Sequence, residues 1–270
     1  MQFLVLFTLQ LALSAAFTPT RPLIAPTSER DDIRAAARFF ASEFFASELG
    51  LPDRGFPPDD ARHVLDATVA LDFESRYGEL VGSRRLASSL LLARDGTGGA
   101  VVGCAGVELA VVLPAAAIAG AVPARTRVLA RAEAEKRIAA ELSALRPRER
   151  NTLRKAPLAE LVPMLIGDGT AVRPVLSNLA VARAARRRGL GRELVAACER
   201  VARDEWASDA LLLIVEAANE PARALYRGLG FEEAWCEDTP ATRAVFSDGP
   251  GTFIETASVT VPKVIMRKKL

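Results

Sequence analysis

Histidine is almost missing from this chain. His63 is the only one in 270 residues. A histidine-based metal cluster is therefore excluded, and a Ser–His or Cys–His nucleophile would have to use that one side chain. His63 itself reads as an ordinary helix residue. Cysteine is scarce as well: Cys104, Cys198 and Cys236 are odd in number, scattered, and set in apolar or helical surroundings. They supply no disulfide framework, and no Cys-x-x-Cys pair points to zinc. Neither sign of charge is in excess, with 35 Lys and Arg against 33 Asp and Glu. The small net charge gives no electrostatic argument for a nucleic-acid partner. What the chain does have is apolar bulk: 50% of its residues are hydrophobic, enough to bury a full core in one domain, with or without appendages.

The most telling stretch is Arg186-Arg187-Arg188-Gly189-Leu190-Gly191. Before it runs Val175 to Val181, short and apolar like a buried strand. After it, from Arg192 to about Asp204, Leu194, Val195, Cys198, Val201 and Ala202 recur at helical spacing. Strand, glycine turn and helix together aim free backbone N–H groups and the positive end of a helix dipole at one point, an anion site suited to phosphate. A dinucleotide fingerprint needs a third glycine where Leu194 stands, and a P-loop needs Gly-Lys-Ser/Thr where Arg192-Glu193 follows. Both are excluded, and Arg-x-x-Gly-x-Gly remains. A second motif follows the apolar run Leu211–Val215: Asn219-Glu220-Pro221-Ala222-Arg223-Ala224-Leu225-Tyr226, then Gly228-Leu229-Gly230-Phe231. Asn219 is a good N-cap and Pro221 is tolerated in a first turn. Ala222, Leu225 and Leu229 make an apolar stripe, and Gly230 ends the helix.

In this order and separation, Arg-x-x-Gly-x-Gly and Asn-x-x-Ala-x-x-Leu-Tyr-x-x-x-Gly-Phe resemble the two signatures of the GNAT acetyltransferase superfamily, over roughly residues 172–231. The resemblance implies an α/β (α+β) fold: a mixed central sheet of about six to seven strands, splayed at the acetyl-CoA site and flanked by helices. It implies acetyl transfer from acetyl-CoA to a primary amine, without a metal. Leu179, Ala180 and Val181 would hold pantetheine and polarise the acetyl carbonyl. Arg186, Arg187, Arg188, Gly189, Leu190 and Gly191 would hold the pyrophosphate, with Arg192 beside them. Asn219 matches a residue that contacts coenzyme A near the thioester, and Tyr226 matches the tyrosine that protonates the departing thiolate. Some members carry His or Glu where this chain has Ile214. Glu216, two residues on and on the same strand face, is the candidate base. It reads equally as a solvated strand-end residue, and a water chain from backbone carbonyls or Ser177 is an alternative. The expected acceptor is a protein N-terminal α-amine or a lysine, with a small-molecule amine next. A GNAT-like module that binds coenzyme A or a partner without catalysis is the reading from a different class. Nucleic acid is not an expected partner: the arginine cluster is short and lacks interleaved aromatics.

Outside the motifs, a helix is expected over Asp31–Leu49, with Ile33, Ala37, Phe40, Phe44 and Leu49 facing a core. A second, capped by Asp59 or Asp60, runs through His63, Leu65, Val69, Leu71 and Phe73. Leu86–Ala93 and Ala100–Val112 read as a hairpin around Asp95-Gly96-Thr97-Gly98-Gly99. Between about 114 and 170 lies a helical insert with charged helices at Arg125–Leu145 and Arg148–Leu165, their charges read as solvated faces. The last strands are expected at Ala234–Cys236 and Ala257–Ile265. No first edge strand is legible before the opening helix. The N-terminus reads as a leader: apolar Phe3–Leu13, too short to span a bilayer, then Ser14-Ala15-Ala16, gives a signal peptide over 1–16. Phe17 opens an acid-free, hydroxyl-containing stretch to about 30 that resembles the second part of a bipartite plastid leader. The expected domain therefore spans 31–270, and the protein resembles plastid-type GNAT protein acetyltransferases. Plain secretion is the alternative, and no stable membrane anchoring is expected once the leader is removed.

Overall fold

Alternation along one short strand sets the layering of the molecule. In Ala210–Glu216, Leu211, Leu213 and Val215 turn to one face and Leu212 and Ile214 to the other, so both faces of the sheet must be covered. The computed structural model describes residues 22–45, 59–78, 86–96, 99–113, 126–129, 131–153, 156–167, 169–246 and 254–270. The sequence-expected signal peptide, over 1–16, lies outside these residues.

The elements run in chain order as β1 (Leu23–Thr27), α1 (Arg30–Phe40) with a π-helical turn at Ala41–Phe45, α2 (Asp59–Tyr77), β2 (Ser88–Arg94) and β3 (Val101–Leu113). Then come β4 (Arg127–Leu129), α3 (Arg131–Ala144), α4 (Pro147–Leu153), α5 (Leu158–Ile166) and β5 (Ala171–Val181). A 3-10 turn at Arg183–Ala185 leads to α6 (Leu190–Arg200), which ends in a π-helical turn at Val201–Glu205. The chain closes with β6 (Ala210–Glu216), α7 (Glu220–Arg227), β7 (Glu232–Phe246) and β8 (Ile254–Lys269). The sheet has eight strands, in the order β1-β2-β3-β5-β6-β8-β7 with β4 paired to β3. It is an open, mixed α/β sheet in which β5 and β6 alone are parallel. A parallel pair needs a crossover, and α6 supplies it.

The two faces carry different layers. On one, Ile33, Ala36, Phe73 and Tyr77 of α1 and α2 pack on Leu90, Leu92, Cys104 and Ala180. On the other, Leu190, Leu194, Val195 and Cys198 of α6 pack on Leu91, Ala105, Val107, Leu176, Leu211 and Leu213.

Several sequence expectations are corrected here. The second helix is present as α2, with Leu65, Val69, Phe73 and Tyr77, every fourth residue, as its buried stripe and Leu71, 70% exposed, on the opposite side. The opening edge strand exists as β1, which lies inside the stretch read as leader, so the sheet takes in residues before 31. Pro26 and the 60% exposed Leu23 conceal it, and both are tolerated because β1 is an edge. The insert is not purely helical. Val128 and Leu129 are buried, and β4 pairs with the end of β3 where a helix was expected. The single helix expected over Arg148–Leu165 breaks ahead of Pro157 into α4 and α5. Its apolar side is real: Ala134, Ile138, Leu161 and Val162 pack on Val111, Leu113 and Leu129. The final hairpin is far longer than expected, with β7 and β8 paired from Glu232↔Arg267 to Phe246↔Ile254.

Gly106 sits under the ring of Tyr77, and a Cβ there would overlap the tyrosine hydroxyl. Gly106→Ala is therefore expected to lower stability by about 1–3 kcal/mol, the range for overpacking a filled core. Urea unfolding of the two proteins checks it, and an unchanged midpoint would mean the buried ring yields freely.

Candidate active site

The strands β5 and β6 begin as neighbours and then part. They pair only at Val175↔Leu212 and Leu176↔Leu213. Beyond that point β5 keeps β3 and β6 keeps β8, so the facing edges of Ser177–Val181 and Ile214–Glu216 carry no ladder between them. A bulge drives the divergence. The β3–β5 register slips between Cys104↔Ala180 and Gly106↔Ser177, and Asn178 takes φ 53, a left-handed backbone that Asn tolerates better than most side chains. Tyr77 locks it from below: Asn178 Nδ2 donates to the Tyr77 hydroxyl at 2.8 Å, and Ser177 Oγ shares a hydrogen bond with the same hydroxyl at 3.0 Å. Burial pushes the Tyr77 hydroxyl well above the ordinary phenol range, so it stays protonated. The sequence reading missed this cluster. Its one signal was Gly106, a glycine inside a strand, which marks close approach of another group.

Of the sequence-predicted residues, Leu179 and Val181 are half-buried on the parting edge and Ala180 is buried against Cys104. The chain then turns through Arg186–Gly189 into α6, with Arg187 at φ 63 and Gly189 at φ 89. A Cβ on Gly189 would meet nothing within 4 Å, so conformation, not crowding, requires glycine there, and the space above it is open. Leu190, Gly191 and Arg192 form the first turn of α6, whose N–H groups have no acceptor within the helix. Arg186 is committed: its guanidinium donates to the Val181 carbonyl at 2.9 Å and to Glu43 at 2.8 Å, tying the loop to the end of α1. Arg187, Arg188 and Arg192 are exposed and meet no carboxylate among the described residues.

Asn219 does act as an N-cap, its Oδ1 accepting from the Ala222 N–H at 3.2 Å. One side of α7 delivers Tyr226 into the core beneath α6, edge-on to Phe231. Burial, with a smaller contribution from Cys198, pushes the Tyr226 hydroxyl up to about 12, so it is a proton donor at neutral pH. Glu216 ends β6 on the Ile214 face, across from Lys263. The structure thus gathers the arginine loop, the parted strand edge and Tyr226 on the α6 side, and leaves Glu216 on the other.

Residues 161–231 match the model of the Acetyltransferase (GNAT) family. Over that stretch the chain is similar to the GNAT acetyltransferases. Among solved structures the chain is similar to the ribosomal-protein-alanine N-acetyltransferase from Brucella melitensis (19% identity, 92% of this chain and 99% of that one, TM-score 0.40). It is also similar to a GNAT acetyltransferase from Streptococcus pneumoniae (15%, 93% and 100%, 0.42). A third is the paia N-acetyltransferase from Thermoplasma acidophilum in complex with coenzyme A (10%, 92% and 99%, 0.42). At such values these likenesses carry no argument about substrate. Among curated proteins none matches the chain.

Acetyl-CoA is the acetyl donor expected from the likeness over residues 161–231, and the residues present fit it. Three uncommitted guanidinium groups and the first turn of α6 surround open space above Gly189, which suits a pyrophosphate. The edge of Ser177–Val181 that faces away from β3 has no strand partner and suits the amide-bearing pantetheine arm. On the opposite face of the sheet, where β5 and β6 begin to part, lies a second feature: a cavity of about 460 Å³ reached by Val175, Ile214, Glu108, Glu237, Arg76 and Arg127. The motifs gave no sign of it, because its residues come from strands and the insert far apart in sequence.

Gly189→Glu places a carboxylate in the anion position and a side chain at a left-handed φ. Acetyl-CoA is expected to raise the melting temperature of the parent in a concentration-dependent way and to leave this variant's unchanged. An equal shift in both proteins would remove the loop from the binding site.

Proposed function

We propose that the protein transfers the acetyl group of acetyl-CoA to a primary amine, the acceptor being a protein N-terminal α-amine or a lysine ε-amine. The observation that carries the acetyl-CoA part is the parted β5–β6 pair, whose open edge leads straight into the Gly189 loop and its uncommitted arginines. In this reading Arg187, Arg188 and Arg192, with the N–H groups of Gly189 to Arg192, bind the pyrophosphate. Arg186 shapes the loop through Val181 and Glu43. The backbone of Leu179, Ala180 and Val181 aligns the thioester and polarises its carbonyl. Asn219 fixes the start of α7, and Tyr226 gives its proton to the departing thiolate. Glu216 is the candidate base. A small-molecule amine is the second reading, favoured by the cavity of about 460 Å³, a volume of small-ligand size.

Tyr226→Phe keeps the ring that packs on Phe231 and removes only the hydroxyl. The expected outcome is a fall in kcat of about 10²–10⁴-fold, the usual contribution of general acid catalysis, with acetyl-CoA affinity nearly unchanged. Because burial raises this hydroxyl to about 12, the acid form persists as pH rises and is lost only near that value. The parent's rate is therefore expected to hold through mildly alkaline pH. Equal kcat in both proteins would take Tyr226 out of the mechanism. A parent that acetylates no peptide or free amine, followed by mass spectrometry, would favour a non-catalytic coenzyme A-binding module.

The location proposed is the plastid, reached through a signal peptide over 1–16 and a transit-like stretch from Phe17. Support comes from the sequence and from the need for acetyl-CoA, which a secreted enzyme would lack. A fluorescent protein fused to the first thirty or so residues is expected in the plastid, with Phe17→Ala stopping it earlier in the secretory route. Export to the medium, or retention in the cytosol, would reject the plastid assignment.

A further inference from the structure

Tyr77 closes α2 with its ring in the core and its hydroxyl under the bulge of β5. The ring has little freedom. It stands edge-on to Phe73 at 5.5 Å between centroids, and Phe73 packs in turn on Phe40. Its hydroxyl lies over Gly106, where a Cβ would overlap it. The helix end is fixed as well, since the Arg76 carbonyl accepts from Ser88 Oγ at 2.6 Å and from the Arg131 guanidinium. Asn178 Nδ2 and Ser177 Oγ therefore meet a hydroxyl that is anchored to β2, β3 and the insert.

Asn178 at φ 53 needs outside support, because a side chain in the left-handed region is strained and persists only where its surroundings hold it. That support comes at one end of the free edge of β5. Asn178 Nδ2 donates to the Tyr77 hydroxyl at 2.8 Å, and the Asn178 carbonyl accepts from Cys104 Sγ at 3.4 Å. The other end is held separately, through the Val181 carbonyl and Arg186. A ligand with its pyrophosphate at the Gly189 loop would run back along this edge, so its far, acyl-bearing end lies nearest Asn178. The two anchors thus act on different parts of one ligand.

We propose that Tyr77 is a positioning residue for the acyl end of the cofactor: its hydroxyl fixes the Asn178 bulge, and with it the backbone of Leu179 and Ala180 against which the thioester is aligned. Tyr77 is buried beneath the strand and acts through Asn178, not on the reacting atoms. Burial raises its hydroxyl well above the ordinary phenol range, so the hold does not vary with pH near neutrality. The inference rests on acetyl-CoA occupying the β5 edge. It does not depend on which amine accepts the acetyl group.

The test compares the full-length parent with Tyr77→Phe, Asn178→Ala and Asn178→Gly. Two ligands are titrated by calorimetry: acetyl-CoA, and the phosphoadenosine diphosphate fragment of coenzyme A, which lacks the pantetheine arm. Tyr77→Phe removes the hydroxyl, and Asn178→Ala removes the amide it holds. Each is expected to weaken acetyl-CoA about tenfold, the worth of a lost buried hydrogen bond, and to leave the fragment's affinity unchanged. The kcat for acetyl transfer is expected to fall on the order of tenfold to a hundredfold, the scale for a misplaced reacting group. Asn178→Gly loses the same amide but takes the left-handed backbone without strain. It is therefore expected to lose less than Asn178→Ala, and to restore part of the loss when added to Tyr77→Phe. The two Asn178 variants decide the matter if Tyr77→Phe does not fold. Equal affinities and rates in parent and variants overturn the proposal. So does a loss shared by both ligands, or one that glycine does not relieve, because a merely structural residue would behave that way. If the two ligands separate as expected yet the parent acetylates no amine, Tyr77 keeps its role and the acetyl-transfer reading falls. Acetylation at the parental rate in every variant does the reverse.

Discussion

Between Ser177 and Ala180 the backbone of β5 carries one residue too many for β3 to match, and Asn178 absorbs it by entering the left-handed region. The parting of β5 from β6 begins at that bulge. It turns β5 away from β6 after two paired residues and leaves a row of backbone donors and acceptors without partners. A parallel sheet buried on both faces does not normally tolerate such a gap, since unpaired backbone groups away from water are costly. The molecule offsets part of the cost locally, the Asn178 carbonyl accepting from Cys104 Sγ at 3.4 Å and the Val181 carbonyl from Arg186 at 2.9 Å, while the Tyr77 hydroxyl holds the Ser177 and Asn178 side chains. Gly106 is part of the same device, because only a residue without a Cβ leaves room for the Tyr77 ring.

The gap separates two electrostatic environments. On the α6 side the field is positive: a helix N-terminus, a left-handed Gly189 and three arginines with no carboxylate partner among the described residues. On the other side charges of both signs line the cavity, and Arg76 pairs with the buried Glu108 at 2.7 Å. Tyr226 lies in the core on the α6 side as a buried phenol that holds its proton.

The insert changes role once it is seen in place. Its surface charges pair along the helices, as Arg137 does with Glu133, and are solvated as their spacing suggested. Its β4 strand adds to the end of β3, and Val128 gives its N–H to Glu237 on a strand more than a hundred residues away. That bond joins the insert to the final hairpin and closes a cavity that neither would form alone.

What the sequence by itself determined is local. The arginine–glycine loop, the Asn219 cap, the buried face of α6 and the alternation of β6 all follow from residues within a few positions of one another, where backbone conformation, capping and periodicity act. The same locality explains the misreadings: β1 lacks an alternating pattern because an edge needs none, and β4 is too short for a period. The tertiary structure alone decided that Tyr77 holds Asn178, that Glu108 lies buried with one oxygen unpaired, and that the insert walls a cavity. These depend on strand register and on which side chains meet across the sheet. A pattern read along the chain does not contain such distances, because they are fixed only when the strands pair.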